Sequence, residues 1–160
     1  MDAIKLLTAQ HRALESVLKK ALKASGKEQY TLFKQGADEL TVHIASEEQI
    51  FYPAVKARRT RDILLESLEE HLSLKRLVAD LLELKPEDDT FQPKLKVLSE
   101  QAEHHHKEEE ENLFPKVEKL LDSKELDDLG SEMQALQLAL IKHGDPRKAA
   151  AGETAEAQPL

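Results

Sequence analysis

The chain has no cysteine and no tryptophan, and only two tyrosines and four phenylalanines in 160 residues. Without cysteine there can be no disulfide, no thiolate nucleophile, no iron–sulfur cluster and no cysteine-ligated zinc. Basic residues are outnumbered, 23 against 31 acidic, giving a net charge of −8. That balance argues against a surface for nucleic acid or a polybasic surface for membranes. No apolar run approaches the roughly 20 residues that span a bilayer. The amphipathic start, MDAIKLLTAQHRALE, lacks the basic and apolar regions of a secretory signal. A soluble, cytoplasmic protein of one domain is expected. Seven histidines in so acidic a chain stand out.

Glycine and proline are also scarce, and almost every long segment has helical period. Apolar spacing and breakers predict five helices: Asp2–Ala24, Glu28–Ala57, Thr60–Leu84, a fourth capped around Asp88-Asp89-Thr90 and running to Leu121, and a shorter fifth over Ser123–Lys142. Pro53 and Pro115 should distort the ends of the second and fourth. No stretch alternates in the manner of a strand. The expected fold is all-α, an up-down-up-down four-helix bundle with a short fifth helix. The domain is expected to fill residues 1–143, with 144–160 as a disordered, mobile tail with little to bury.

The helix seams carry the functional signal. Ile4, Leu7, His11, Leu14 and Leu18 fall at steps of three and four; so do Phe33, Gly36, Leu40, His43, Glu47 and Ile50. Leu64, Leu68, His71, Leu74 and Val78 make the third stripe, and Leu95, Leu98, Ala102, His105, Glu109 and Leu113 the fourth. Each stripe should face the core, and each holds a titratable group where an aliphatic residue is expected. The pattern also repeats. His43, Glu47, Glu48, Pro53 and Val55 recur in the same order and at the same spacing as His105, Glu109, Glu110, Pro115 and Val117. His11 with Leu14 likewise recurs as His71 with Leu74. Two helical hairpins related by an approximate two-fold axis follow.

A carboxylate in an apolar core is costly unless it is paired, hydrogen-bonded or bound to metal. One buried histidine is ordinarily a packed core residue. Six ligand-type residues on four seams, repeated internally, point to metal instead: His11, His43, Glu47, His71, His105 and Glu109. Imidazole and carboxylate without thiolate suit iron, manganese or zinc. The set is too large for one tetrahedral zinc and fits two octahedral ions, so a dinuclear non-haem iron site is the economical reading.

These residues resemble the hemerythrin-like, or HHE cation-binding, family. The resemblance lies in His11 of Ala-Gln-His-Arg, His43 and Glu47 of HIASEEQIFYP, His71 of Glu-Glu-His-Leu, and His105 and Glu109 of HHHKEEEENLFP, and it covers residues 2–121. It implies that the six residues ligate two non-haem Fe ions, with Glu47 and Glu109 as bridging carboxylates. Oxygen-carrying hemerythrins have a further histidine four residues after the one on the third helix; here Lys75 stands there, which argues against reversible oxygen storage. The resemblance implies O2, peroxide or nitric oxide as small-molecule ligand. Two roles stay open: peroxide-consuming, catalase- or peroxidase-like di-iron chemistry, and an iron, redox or nitric-oxide sensing module without turnover.

Several neighbours are read as lying outside the ligand set. His104 and His106 project about 100° to either side of His105 on a helix. Glu48 and Glu110 fall off the seam, either supporting the ligands or facing solvent. For Tyr52, one turn from Glu48, surface packing is favoured over a reach to the site as hydrogen-bond donor or radical relay, and Lys75 is read as reaching out to the surface with its alkyl stem over the site. No membrane or nucleic-acid partner is expected from the residues, and protein partners stay open.

Overall fold

The computed structural model describes all 160 residues, and its elements are helical throughout. Helix α1 spans Ala3–Lys23 and starts at Asp2, whose side chain accepts from the Lys5 amide at 2.8 Å. Gly26, at φ +56°, takes the left-handed backbone that lets the chain turn directly into α2, Gly26–Ser46. Farther along α2, Gly36 leaves room for Leu18: a Cβ there would stand 3.0 Å from Leu18 Cδ2, so α1 and α2 pack closely. After α2 come a π-helical turn, Glu47–Phe51, and the short α3, Tyr52–Val55. Helix α4 covers Arg61–Leu82 and α5 Phe91–Glu108. A second π turn, Glu109–Leu113, leads into α6, Phe114–Leu120. Helix α7, Ser123–His143, opens with a capping box between Asp122 and Glu125.

The distortion expected near Pro53 and Pro115 takes the form of these two π turns. Proline has no amide hydrogen to give and its ring crowds the carbonyl four residues back. Widening the turn relieves both: the Tyr52 amide reaches back to the Glu47 carbonyl and the Phe114 amide to the Glu109 carbonyl. The repeat read from the sequence is therefore a repeat in backbone geometry, with each π turn beginning at the carboxylate of interest.

Two apolar clusters fill the bundle. One joins Leu14, Leu18, Phe33, Leu40, Leu74, Val78, Phe91, Leu95 and their neighbours; the other joins Leu7, Phe51, Tyr52, Leu64, Leu68, Leu113, Phe114 and Met133. The histidines and glutamates lie in the layer between them: His11 separates Leu7 from Leu14, and His71 separates Leu68 from Leu74. The fifth helix, α7, packs across α1 and α2 and buries Leu126, Met133 and Gln137.

At two points the structure differs from the sequence reading. Thr90 precedes α5 as expected, but makes no side-chain cap; Asp88 instead accepts from the Lys85 amide at 2.8 Å and closes the preceding turn. Residues 144–160, read as a mobile tail, form helix α8, Pro146–Ala151, and a stretch laid on the bundle. Its ties are specific. Arg147 pairs with Asp38 at 2.6 Å, Arg76 donates to the carbonyls of Thr154 and Ala155 at 2.9 and 3.2 Å, and Ala157 and Leu160 pack on the second cluster. No helix is long and apolar enough to cross a membrane.

Candidate metal centre

The six residues singled out by the sequence converge in one buried layer. His11 comes from α1, His43 from α2, Glu47 from the first π turn, His71 from α4, His105 from α5 and Glu109 from the second π turn. All six are at most 1% exposed. Ligand atoms of His11, His43, Glu47 and Glu109 lie within 4.8 Å of one another, as do those of Glu47, His71 and His105.

Each carboxylate stands between two imidazoles. Glu47 Oε1 is 3.0 Å from His43 Nε2, and its Oε2 is 3.0 Å from His71 Nε2. Glu109 Oε1 is 3.3 Å from both His11 Nε2 and His105 Nε2. The Tyr52 hydroxyl joins them, donating to Glu109 Oε2 at 2.9 Å, with His71 Nε2 at 3.2 Å.

The outer nitrogen of every ring is engaged. His11 Nδ1 meets Glu110 Oε2 at 2.8 Å, His43 Nδ1 meets Gln10 Oε1 at 2.9 Å, His71 Nδ1 meets Glu48 Oε2 at 2.9 Å, and His105 Nδ1 meets Glu70 Oε1 at 2.8 Å. These acceptors assign the hydrogen to Nδ1 and turn the Nε2 lone pair inward, the arrangement that metal-ligating histidines need. Further residues fix the acceptors themselves. Arg12 holds Glu110, Lys75 Nζ holds Glu48 at 2.9 Å, and Gln137 of α7 pairs with Gln10 and donates to Ser46 Oγ at 2.9 Å.

Inside the layer the geometry suits a cation. His11 Nε2, His43 Nε2, His106 Nε2, Glu47 Oε1 and Glu109 Oε1 are buried with no hydrogen-bond partner. The short His43–Glu47 separation lacks hydrogen-bond alignment. His71 Nε2 and His105 Nε2 lie 3.1 Å apart, a separation that two lone pairs keep only with a proton or a metal ion between them. Buried polar atoms left unpaired cost about 1–3 kcal/mol each, so a divalent ion would relieve a substantial strain. The donor set of imidazole and carboxylate oxygen fits iron, manganese or zinc.

Without metal the layer holds charge by mutual pairing. Burial opposes ionisation of Glu47 and Glu109, but the surrounding imidazoles outweigh it and both stay below the ordinary carboxylate range, Glu109 well below. Burial also pulls His11, His71 and His105 down, yet the carboxylates beside them leave all three raised, His105 most strongly. Tyr52 is raised well above 10, first by burial and then by Glu109 and Glu47, so its hydroxyl keeps its proton.

Three readings from the sequence change here. Tyr52 is fully buried beside the carboxylates, not at the surface, because the π turn inserts a residue and rotates it inward. Lys75 does not reach out: it is 3% exposed, with its ammonium on Glu48. His106, set aside as flanking, is fully buried, and one of its ring nitrogens lies within 4.8 Å of the ligand atoms of His11 and His43. The signal for it is present in the sequence: Ser99, His106 and Leu113 fall at steps of seven, so α5 buries both i+3 and i+4 from Ala102. His104 stays outside, its side chain 64% exposed, and Tyr30 packs on Phe33 and Phe91 away from the site.

Comparison with known proteins agrees with this geometry. A hemerythrin HHE cation-binding domain-containing protein from Mycobacterium kansasii has the same fold, at TM-score 0.77 and 22% identity, covering 96% of this chain and 99% of that one. A curated relative from Nostoc, named a DNA nickase, is 26% identical over 103 residues. That match takes in 64% of this chain and only 29% of the relative's length. The family model of the hemerythrin HHE cation-binding domain matches residues 2–117, which contain every residue of the layer, and the chain belongs to that family of metal-binding helical domains.

Proposed function

We propose that this chain holds two non-haem iron ions in the His/Glu layer and uses them to bind or reduce O2 or peroxide. The observation that carries the reading is the double span of carboxylates. Glu47 stands between His43 and His71, and Glu109 between His11 and His105. Two carboxylates that each face imidazoles of both helical hairpins are a donor set for a pair of ions, and exceed what one tetrahedral ion takes. His11 and His43 would hold one ion, His71 and His105 the other, with Glu47 and Glu109 shared.

Bound iron would supply redox equivalents and exchangeable coordination positions to a small oxidant. The chain's own residues do the rest. The acceptors on Nδ1 orient the rings and raise their basicity. The two apolar clusters exclude bulk water from the layer. Tyr52 keeps a proton on its hydroxyl, 2.9 Å from Glu109, where it can donate to developing negative charge.

The test is metal analysis and absorption of the iron-loaded protein, followed by peroxide consumption. About two irons per chain, near-ultraviolet charge-transfer absorption in the oxidised form, and peroxide turnover are expected. One tight zinc without iron uptake would overturn the reading. A metal-dependent iron, redox or nitric-oxide sensing module without turnover is the second reading. Two irons without turnover would favour it. We propose no nucleic-acid contact for this chain, on the strength of its net charge of −8.

A further inference from the structure

We infer that the groove between α1, α2 and α7 is an interface for a second copy of this chain, each copy seating the outer edge of its α7 in the groove of the other. The inference stands on the surface of the bundle and is independent of which metal the buried layer holds.

The outer face of α7 is built unlike the rest of the surface. In a chain that is 34% charged, residues 133–141 (MQALQLALI) form the longest run without a charge. Met133 and Gln137 account for its inward side. Ala135, Leu138, Ala139 and Lys142, at steps of three and four, make one outward stripe, and Ile141 borders it. Leu138 is 67% exposed and Ile141 62%; only Met1 at the chain end matches them among the large apolar residues. Two such side chains side by side in water forgo the gain that burial would return, and apolar surface of this kind marks an interaction site. Beside them lies a groove of about 830 Å3, walled by Leu6 and Leu14 of α1, Val42 of α2, and Leu138 and Ile141 themselves. Its α2 rim carries Asp38 and Glu39, and no basic residue lines it.

Self-complementarity identifies the occupant. Ridge and groove belong to one patch, so a two-fold axis beside Ile141 sets the ridge of each copy against the groove of the other, which closes the assembly as a dimer. The charges agree. Asp38 is already paired with Arg147, but Glu39 accepts only from the Gln35 amide, at 3.0 Å, and has no cation beside it. Lys142, one turn after Leu138 on the same stripe, is exposed and has no carboxylate beside it. Across the axis Lys142 of one copy meets Glu39 of the other, giving an apolar centre a polar rim of matched sign. The face is also large enough. Helix α7 has 21 residues, so with the adjoining groove it presents roughly 600 Å2, the lower end of what each partner buries in a stable interface. On the groove floor Gln10 and Gln137 pair their amides, and Gln10 accepts from His43 Nδ1. Dimerisation therefore takes this support of the buried layer out of water.

Sedimentation equilibrium of the full chain tests the inference. The wild type should be a dimer at about 100 µM and dissociate on dilution. Leu138→Asp sets a charge at the centre of the face and should raise the dissociation constant roughly ten-fold or more, with helix content and melting temperature of the monomer unchanged. Glu39→Lys and Lys142→Glu should each weaken the dimer roughly ten-fold, and the double variant should recover most of that loss, which a packing defect would not do. Should Leu138→Asp lower the melting temperature, the charge reversals decide, since both residues are exposed. A wild type that stays monomeric at that concentration would overturn the inference, including one whose groove instead takes up a basic amphipathic peptide. A dimer indifferent to Leu138→Asp and to the charge reversals would overturn it too, by showing that another face holds the copies together. A double variant no tighter than the single ones would overturn the Lys142–Glu39 pairing and with it the placement of the axis.

Discussion

Tyr52 donates its hydroxyl to Glu109 across 2.9 Å, linking the end of one helical hairpin to a buried carboxylate of the other. The acceptor is ionised and buried, so this hydrogen bond is of the charge-assisted kind. Tyr52→Phe should leave about two ions bound but reduce the stability of the apo protein by about 1.5–3 kcal/mol, the range for hydrogen bonds to charged groups. Denaturant unfolding of both apo proteins measures it. An unchanged midpoint would mean that the hydroxyl contributes nothing at that position.

Lys75 should be structural. Its ammonium lies on Glu48, which in turn holds the His71 ring; Lys75 and His71 are buried, and the Glu48 side chain is 7% exposed. Lys75→Met removes one partner of a buried pair and should cost about 3 kcal/mol, the low end for such a break because Glu48 keeps His71. Adding Glu48→Gln should restore part of that loss, since the uncompensated charge is gone. Equal losses in the single and double variants, read from apo unfolding curves, would show that Lys75 acts through packing of its stem and not through Glu48.

If the layer holds two ions as proposed, loss of either carboxylate should dismantle the pair. Glu47→Ala and Glu109→Ala should each drop the metal content from about two ions per chain to one or none. His104→Ala should leave it unchanged, because His104 is exposed and reaches Glu70 only at 3.8 Å. Metal analysis after iron loading decides. Parallel losses in all three variants would point to a general folding defect.

The fold and six residues of the layer are legible in the sequence because each helix buries one stripe, and a polar residue in an apolar stripe is conspicuous. His106 is harder to see because α5 packs between α1 and α4 and buries a wider arc than one stripe. Treating the second helix as regular misplaces Tyr52. Pro53 announces the distortion, but the direction of the extra residue's rotation follows from the π turn, which propensity does not reveal. The partners of Lys75 and of the C-terminal stretch are long-range: Glu48 is 27 residues from Lys75, and Thr154 is 78 from Arg76. Contacts of that kind leave no periodic trace.

Metal binding should release protons, and more of them in mild acid. In the apo protein His11, His71 and His105 titrate above 6.5, while Glu47 and Glu109 titrate below 4.5. The raised histidines stabilise the apo fold below pH 6.5, and that contribution is lost as pH climbs through their folded values. The lowered carboxylates stabilise it above pH 4.5, and theirs is lost as pH falls through their own folded values. The apo layer is thus held by imidazolium–carboxylate pairs between those limits, whereas a metal ion needs imidazole lone pairs. At pH 6.5 the ion must displace protons from the raised rings and none from the carboxylates. As pH rises past the folded histidine values, the release should fall towards zero and the apparent affinity should climb to a plateau. Calorimetric titration with zinc, in buffers of different ionisation enthalpy, counts the protons directly. Absence of proton release at pH 6.5 would show that the rings are already neutral in the apo protein and that the pairing described here does not hold the layer together.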